Sequence, residues 1–117
     1  MNPIRLILPR GAEASNYLYP VMEREDLTQD VLTVELPNGY FIDVGWYPEH
    51  DESGSFWIRV FLRHWDGQVI PPITGIRDPY LVARRVEGLA GFYCAAQVPT
   101  AQAQNARIRN AGNPVLV

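Results

Sequence analysis

Lysine is absent: all ten basic residues are arginine. That absence excludes a Schiff-base lysine and the lysine of a Walker A loop. What remains is a set of permanently charged, forked donors suited to carboxylates, phosphates and aromatic faces. With a single cysteine, Cys94, the chain cannot close an internal disulfide. Two histidines, His50 and His64, leave little for a zinc site, which needs three or four ligands and would have to recruit carboxylates. Neither G-x-G-x-x-G nor G-x-S-x-G occurs, and Ser53 and Ser55 merely flank Gly54. In TGIRDP one glycine precedes a predicted helix, and Asp78 would repel an anion at that helix start.

No apolar run approaches the roughly 20 residues of a membrane-spanning helix. The start, MNPIRLILPRGAE, lacks the long apolar core and small-residue cleavage pattern of a secretory signal. The expectation is a cytoplasmic protein without membrane contact. At 117 residues and 47% hydrophobic content, the chain suits one domain with its own core. A formal charge of -3 argues against a general nucleic-acid binder, whose phosphate contacts need positive charge.

What is present is mostly strand. VLTVEL (residues 31–36), YFIDVGWY (40–47) and FWIRVFLRHW (56–65) alternate and are rich in β-branched and aromatic residues. PNG, PEHDESGS and DG, all turn chemistry, separate or end them. An antiparallel meander follows. Pairing Leu36 with Tyr40 around Pro37-Asn38-Gly39 sets Val34 opposite Ile42 and Leu32 opposite Val44, with Gly39 in the left-handed position. One face collects Leu32, Val34, Ile42, Val44, Ile58 and Val60. The reverse face collects Phe41, Asp43, Gly45 and Tyr47 with Trp57, Arg59, Phe61, Arg63 and Trp65, so that Asp43 opposes or neighbours Arg59 or Arg63.

After Asp66-Gly67 a fourth strand at residues 68–70 is expected, cut short by Pro71-Pro72 and therefore at an edge. Residues 4–8 alternate as a further N-terminal strand stopped by Pro9 and Gly11, and Pro20 followed by VMEREDL suits a short helix. Asp78-Pro79 reads as cap and first position of a helix over 79–93, with Val82, Val86, Leu89 and Tyr93 on one stripe. The predicted fold class is thus α+β, an antiparallel three- to four-stranded meander packed on one C-terminal helix with an additional N-terminal strand. Residues 1–96 form the domain. Residues 97–117, rich in Ala, Gln and Asn, are expected as a loosely docked tail.

Two places carry functional interest. Glu49, His50, Asp51 and Glu52 are consecutive in a hairpin loop, candidates for metal ligation or acid/base work. Their spacing fits no calcium loop, and a solvated turn is the default for such a segment. His64 falls on the core side by parity, away from Arg63, and lacks a positioned partner. The more specific feature is the face of Trp57, Arg59, Phe61, Arg63 and Trp65 with Asp43 and Tyr47. Aromatics interleaved with arginine hold single-stranded nucleic acid, but they also typify protein interfaces. Asp43 and the acidic total charge weigh against nucleic acid. The N-terminal segment, a partner protein or a second copy are the ordinary covers for such a face. The expectation is a non-catalytic binding protein of accessory, adaptor or inhibitor type, needing no cofactor. A small enzyme or metal protein using the acidic loop is the alternative, and a single-strand nucleic-acid binder stands third.

Overall fold

The computed structural model describes residues 1–63 and 67–98. Five strands, β1 (Glu13–Asn16), β2 (Leu32–Glu35), β3 (Tyr40–Tyr47), β4 (Ser55–Leu62) and β5 (Ile73–Ile76), form one antiparallel sheet in chain order. One helix, α1 (Pro79–Cys94), packs on one face of it. The α+β class and the meander are as the alternation predicts. In the first hairpin Val34 pairs with Ile42 and Leu32 with Val44, and Gly39 turns with φ 98°. In the second, Asp43 stands directly opposite Arg59 and Phe41 opposite Phe61. Register follows from burial: Ile42, Val44, Ile58 and Val60 are fully inaccessible, and a slip of one residue would exchange them for Asp43 and Arg59.

Helix α1 begins as its sequence indicates. The Asp78 carboxylate accepts from the Tyr80 N–H at 2.9 Å, and Pro79 takes the first turn, where no N–H partner is required. The buried stripe is Val82, Ala83, Val86, Ala90 and Tyr93, with Leu89 at its margin rather than at its centre. Small alanines at this contact let the helix approach the sheet closely. At the other end the Asn38 side-chain amide donates to the carbonyls of Tyr93 (2.7 Å) and Ala96 (3.3 Å), so the β2–β3 turn satisfies acceptors at the helix C-terminus.

Three expectations are corrected. The N-terminal strand is Glu13–Asn16, not residues 4–8. The alternation there does sort the side chains, with Ile4 buried, Leu6 and Leu8 half-buried, Arg5 and Ile7 exposed. Its backbone, however, bonds piecemeal: Ile4 N–H to the Leu18 carbonyl, the Ile4 carbonyl to the Asn16 amide, and Ile7 N–H to the Glu87 carboxylate. Among the described residues no neighbouring strand is there to make a ladder. The helix expected after Pro20 reduces to a 3-10 turn, Arg24–Asp26. Leu27 must return to the core, and the Leu27 and Thr28 carbonyls accept from His50 and Trp46 rather than from a continuing helix. The edge strand is Ile73–Ile76. Residues 68–70 supply only a bridge from Gln68 to Phe61 and the bond from Val69 N–H to the Val60 carbonyl. Pairing resumes past the two prolines, which have no N–H to contribute. Residues 64–66 and 99–117 lie outside the described part, and with them Asp66 of the expected Asp66-Gly67 turn and nearly all of the expected tail; Gly67 itself has a positive φ of 80°.

Candidate functional site

The reverse face of the sheet is built in rows by the β3–β4 register. Phe41 and Phe61, directly opposed, stack with centroids 4.9 Å apart and planes 16° from parallel. Tyr47 and Trp57 meet at 5.3 Å. Arg59 lies against both, its guanidinium carbon 4.7 Å from the Tyr47 centroid and 5.9 Å from that of Trp57. Such cation–π contact draws the guanidinium toward the two rings. Arg63 pairs with Glu35 of β2; with the two side chains 56% and 44% exposed, the pair contributes about 0–1 kcal/mol.

Two groups on this face are poorly satisfied. Arg59 Nε is buried without a hydrogen-bond partner. Burial raises the Asp43 carboxyl above its ordinary value, opposed by the Arg59 charge and reinforced by Asp30. Phe41, Asp43, Tyr47, Trp57, Arg59 and Phe61 are all half-buried. Among the described residues neither α1 nor the N-terminal segment covers them. Both lie on the opposite face, where Ile7 and Arg5 bond to Glu87 and Arg84 of the helix. Of the three covers named from the sequence, the N-terminal segment is therefore not the one that lies on this face.

One short piece of chain does close an end of the face. Gly45, on the Trp57 row, has the Gln29 backbone directly above it: an added Cβ would stand 2.4 Å from the Gln29 carbonyl oxygen. The acidic loop holds this piece in place. Glu49 Oε1 accepts from Gln29 N–H at 3.0 Å, His50 N–H donates to the Leu27 carbonyl at 2.7 Å, and Trp46 N–H donates to the Thr28 carbonyl at 2.7 Å. Arg24 Nε donates to the His50 carbonyl at 3.0 Å, while His50 Nδ1 lies 3.0 Å from the Arg24 carbonyl. His50 takes a left-handed φ of 57° to make both contacts.

The rest of the loop is bonded both within itself and to the chain around it. Asp51 Oδ1 accepts from the Ser53 hydroxyl (2.6 Å) and N–H (2.9 Å), which hold its carboxyl below the usual range. The Asp51 carbonyl accepts from Trp46 Nε1 at 2.7 Å, and the Glu52 carbonyl accepts from Arg77 at 2.5 Å. The four residues are exposed, yet Glu49 bonds to Gln29, His50 to Leu27 and Arg24, and Asp51 to Ser53 and Trp46. Among the described residues no group of three or more His, Cys, Asp or Glu converges to hold a metal ion. The loop is a docked buttress, not a wet tip.

Of the sequence-designated face residues, the structure brings together Asp43, Tyr47, Trp57, Arg59 and Phe61, with Arg63 drawn aside to Glu35. Trp65, like His64, lies outside the described residues. Sequence reasoning missed Phe41 as the stacking partner of Phe61, although its parity had already assigned it to this face. It also missed Arg77, whose guanidinium lies 5.9 Å from the Trp46 ring at the rim of a groove of about 300 Å³ floored by Met22, Leu27 and Phe56. Cys94 is half-buried at the end of α1. Among the described residues, no helix is long and apolar enough to cross a membrane. No family model matches the chain, and neither a curated protein nor a solved structure matches it.

Proposed function

We propose that the protein works by binding another protein through the reverse face of its sheet, as a small cytoplasmic accessory, adaptor or inhibitor, without catalysis of its own. The observation that carries this reading is a half-buried aromatic and arginine face, Tyr47, Trp57, Arg59 and Phe61, left uncovered by the helix and the N-terminal segment. Flat rings and an oriented guanidinium are the groups that contribute most at protein interfaces, since they bring large contact area with few rotatable bonds. Glu35, Asp43 and Arg63 on the same face supply charges of both signs, which favour a mixed-charge protein surface over a uniformly anionic nucleic acid.

The test is partner capture with the wild type and with a Trp57→Ala/Arg59→Ala double variant as parallel baits. A partner held by the first and lost by the second supports the reading, provided the variant unfolds as cooperatively as the wild type. Equal capture by both refutes it. Tryptophan quenching by single-stranded DNA that falls steeply with salt would instead favour the nucleic-acid reading.

A further inference from the structure

The groove beside Trp46 has no part in the reverse face. Trp46 and Phe56 share the inward parity of β3 and β4, so it opens on the helix side of the sheet, where Pro79 begins α1. Its volume of about 300 Å³ is at the lower end of small-molecule sites. The floor is fixed by the chain itself. Trp46 Nε1 donates to the Asp51 carbonyl at 2.7 Å, Met22 Sδ accepts from the Tyr19 N–H at 3.2 Å, and Phe56 packs edge-on to Trp46. Val21 lines the groove and is 57% exposed, so the apolar wall reaches solvent. One cation borders this apolar setting. Arg77 donates through one Nη to the Glu52 carbonyl and lies 5.9 Å from the Trp46 ring centroid, yet among the described residues it pairs with no carboxylate. That includes the carboxylate of Glu52, which also borders the groove. A guanidinium carries five N–H groups, so one carbonyl leaves most of the fork open.

We propose that this groove binds a small apolar monocarboxylate, its carboxylate on Arg77 and its aromatic or branched body against Trp46, Phe56 and Met22. Each half of such a molecule answers one half of the groove. A carboxylate matches the planar fork of arginine with two parallel N–H···O bonds, a match that an ammonium or a neutral amide does not make. The apolar body removes from water the ring, thioether and aliphatic surface that the chain leaves open beside Val21. A mostly apolar cleft with one oriented charged group is the usual construction of a small-ligand site, and the volume suits a single small molecule. The groove and the reverse face lie on opposite sides of the sheet. Failure of this proposal therefore leaves the protein-binding reading untouched.

Phenylacetate, titrated at about pH 7 into the whole chain labelled with nitrogen-15, is the probe, and the tryptophan indole N–H signals report where it binds. Trp57→Phe and Trp65→Phe assign them, since the chain has three tryptophans. The Trp46 signal is expected to shift saturably, with a Kd of about 1 mM or tighter, while that of Trp57 on the other face stays in place. Phenylacetamide and phenethylamine carry the same ring with a neutral or cationic head and are expected to bind at least about fivefold more weakly. Arg77→Gln is expected to cost about the same for phenylacetate and little for phenylacetamide. Glu52→Gln removes the neighbouring negative charge and is expected to tighten phenylacetate by about twofold. Arg77 is exposed, so its variant should keep the wild-type melt; the comparison of the three probes needs no variant at all. No saturable Trp46 shift by about 10 mM phenylacetate overturns the proposal. Equal affinity for the acid and the amide overturns it too, as does phenylacetate binding that Arg77→Gln leaves intact, because the guanidinium is then not the anchor. A shift confined to Trp57 places the contact on the reverse face and likewise overturns it.

Discussion

Glycine-to-alanine is the same chemical change everywhere, and at two positions of this chain it should have opposite signs. At Gly45 the new methyl would stand 2.4 Å from the Gln29 carbonyl oxygen and 3.0 Å from the Gln29 Cα. Both are backbone atoms, so no side chain can swing aside. Relief requires residues 28–30 to lift by most of an ångström, away from bonds that Thr28, Gln29 and Val31 make to Trp46, Glu49 and Val44. Overpacking costs about 1–3 kcal/mol, and one or two weakened hydrogen bonds add about 1 kcal/mol each, so Gly45→Ala should destabilise by roughly 2–4 kcal/mol. For a domain of this size that lowers Tm by roughly 10–20 °C. At Gly88, inside α1, the added methyl meets nothing within 4 Å. There alanine restricts the unfolded chain and favours the helix, for a gain of about 0.5–1 kcal/mol. Equilibrium urea unfolding followed by tryptophan fluorescence measures both. A Gly45→Ala variant within 0.5 kcal/mol of the wild type, as is usual for neutral surface changes, would refute the close approach and with it the buttress role assigned to the acidic loop.

Further outcomes follow from the same structure. Asp78→Ala removes the acceptor of Tyr80 N–H and should cost about 1 kcal/mol in urea unfolding, with Asp78→Asn recovering most of it. Because burial raises the Asp43 carboxyl, the native state binds its proton more tightly than the unfolded chain does. Its contribution is full below the ordinary value of 3.8 and is lost as pH rises through the higher native value. The stability of wild type relative to Asp43→Asn should therefore fall across that window, and a rise would contradict the desolvation argument. Ser53→Ala deletes the hydroxyl bond that chiefly holds the Asp51 carboxyl low, so carboxyl NMR titration should find that group moved back up toward its ordinary value. Phe56, fully buried and edge-on to Trp46 at 4.8 Å, should lose about 3–5 kcal/mol on replacement by alanine, read by thermal or urea unfolding.

Much of the fold was legible because strand alternation and turn chemistry are local. Val34 opposite Ile42, Asp43 opposite Arg59 and the Asp78-Pro79 helix start each depend on residues a few positions apart, whose periodicity and backbone preferences are intrinsic. The same local signal sorted Ile4, Leu6 and Leu8 inward but could not say whether a neighbouring strand existed to pair with them. That depended on Glu13–Asn16 taking the place beside β2. The membership of the aromatic and arginine face likewise followed from parity alone. Its contacts did not: Arg59 turning onto Tyr47 and Trp57, and Arg63 reaching Glu35, are choices among long side-chain rotamers decided by their neighbours.

The acidic loop separates the two levels most clearly. By itself the sequence determined that Glu49, His50, Asp51 and Glu52 occupy a polar turn between two strands, because no extended apolar pattern runs through them. Only the tertiary structure decided what they do there, since Leu27, Thr28 and Gln29 lie some 20 residues earlier in the chain. Hydrogen bonds between segments so far apart depend on where the sheet and the 3-10 turn bring their backbones. In that arrangement the loop residues hold a strip of chain over Gly45 and so bound one end of the face that the register had laid out.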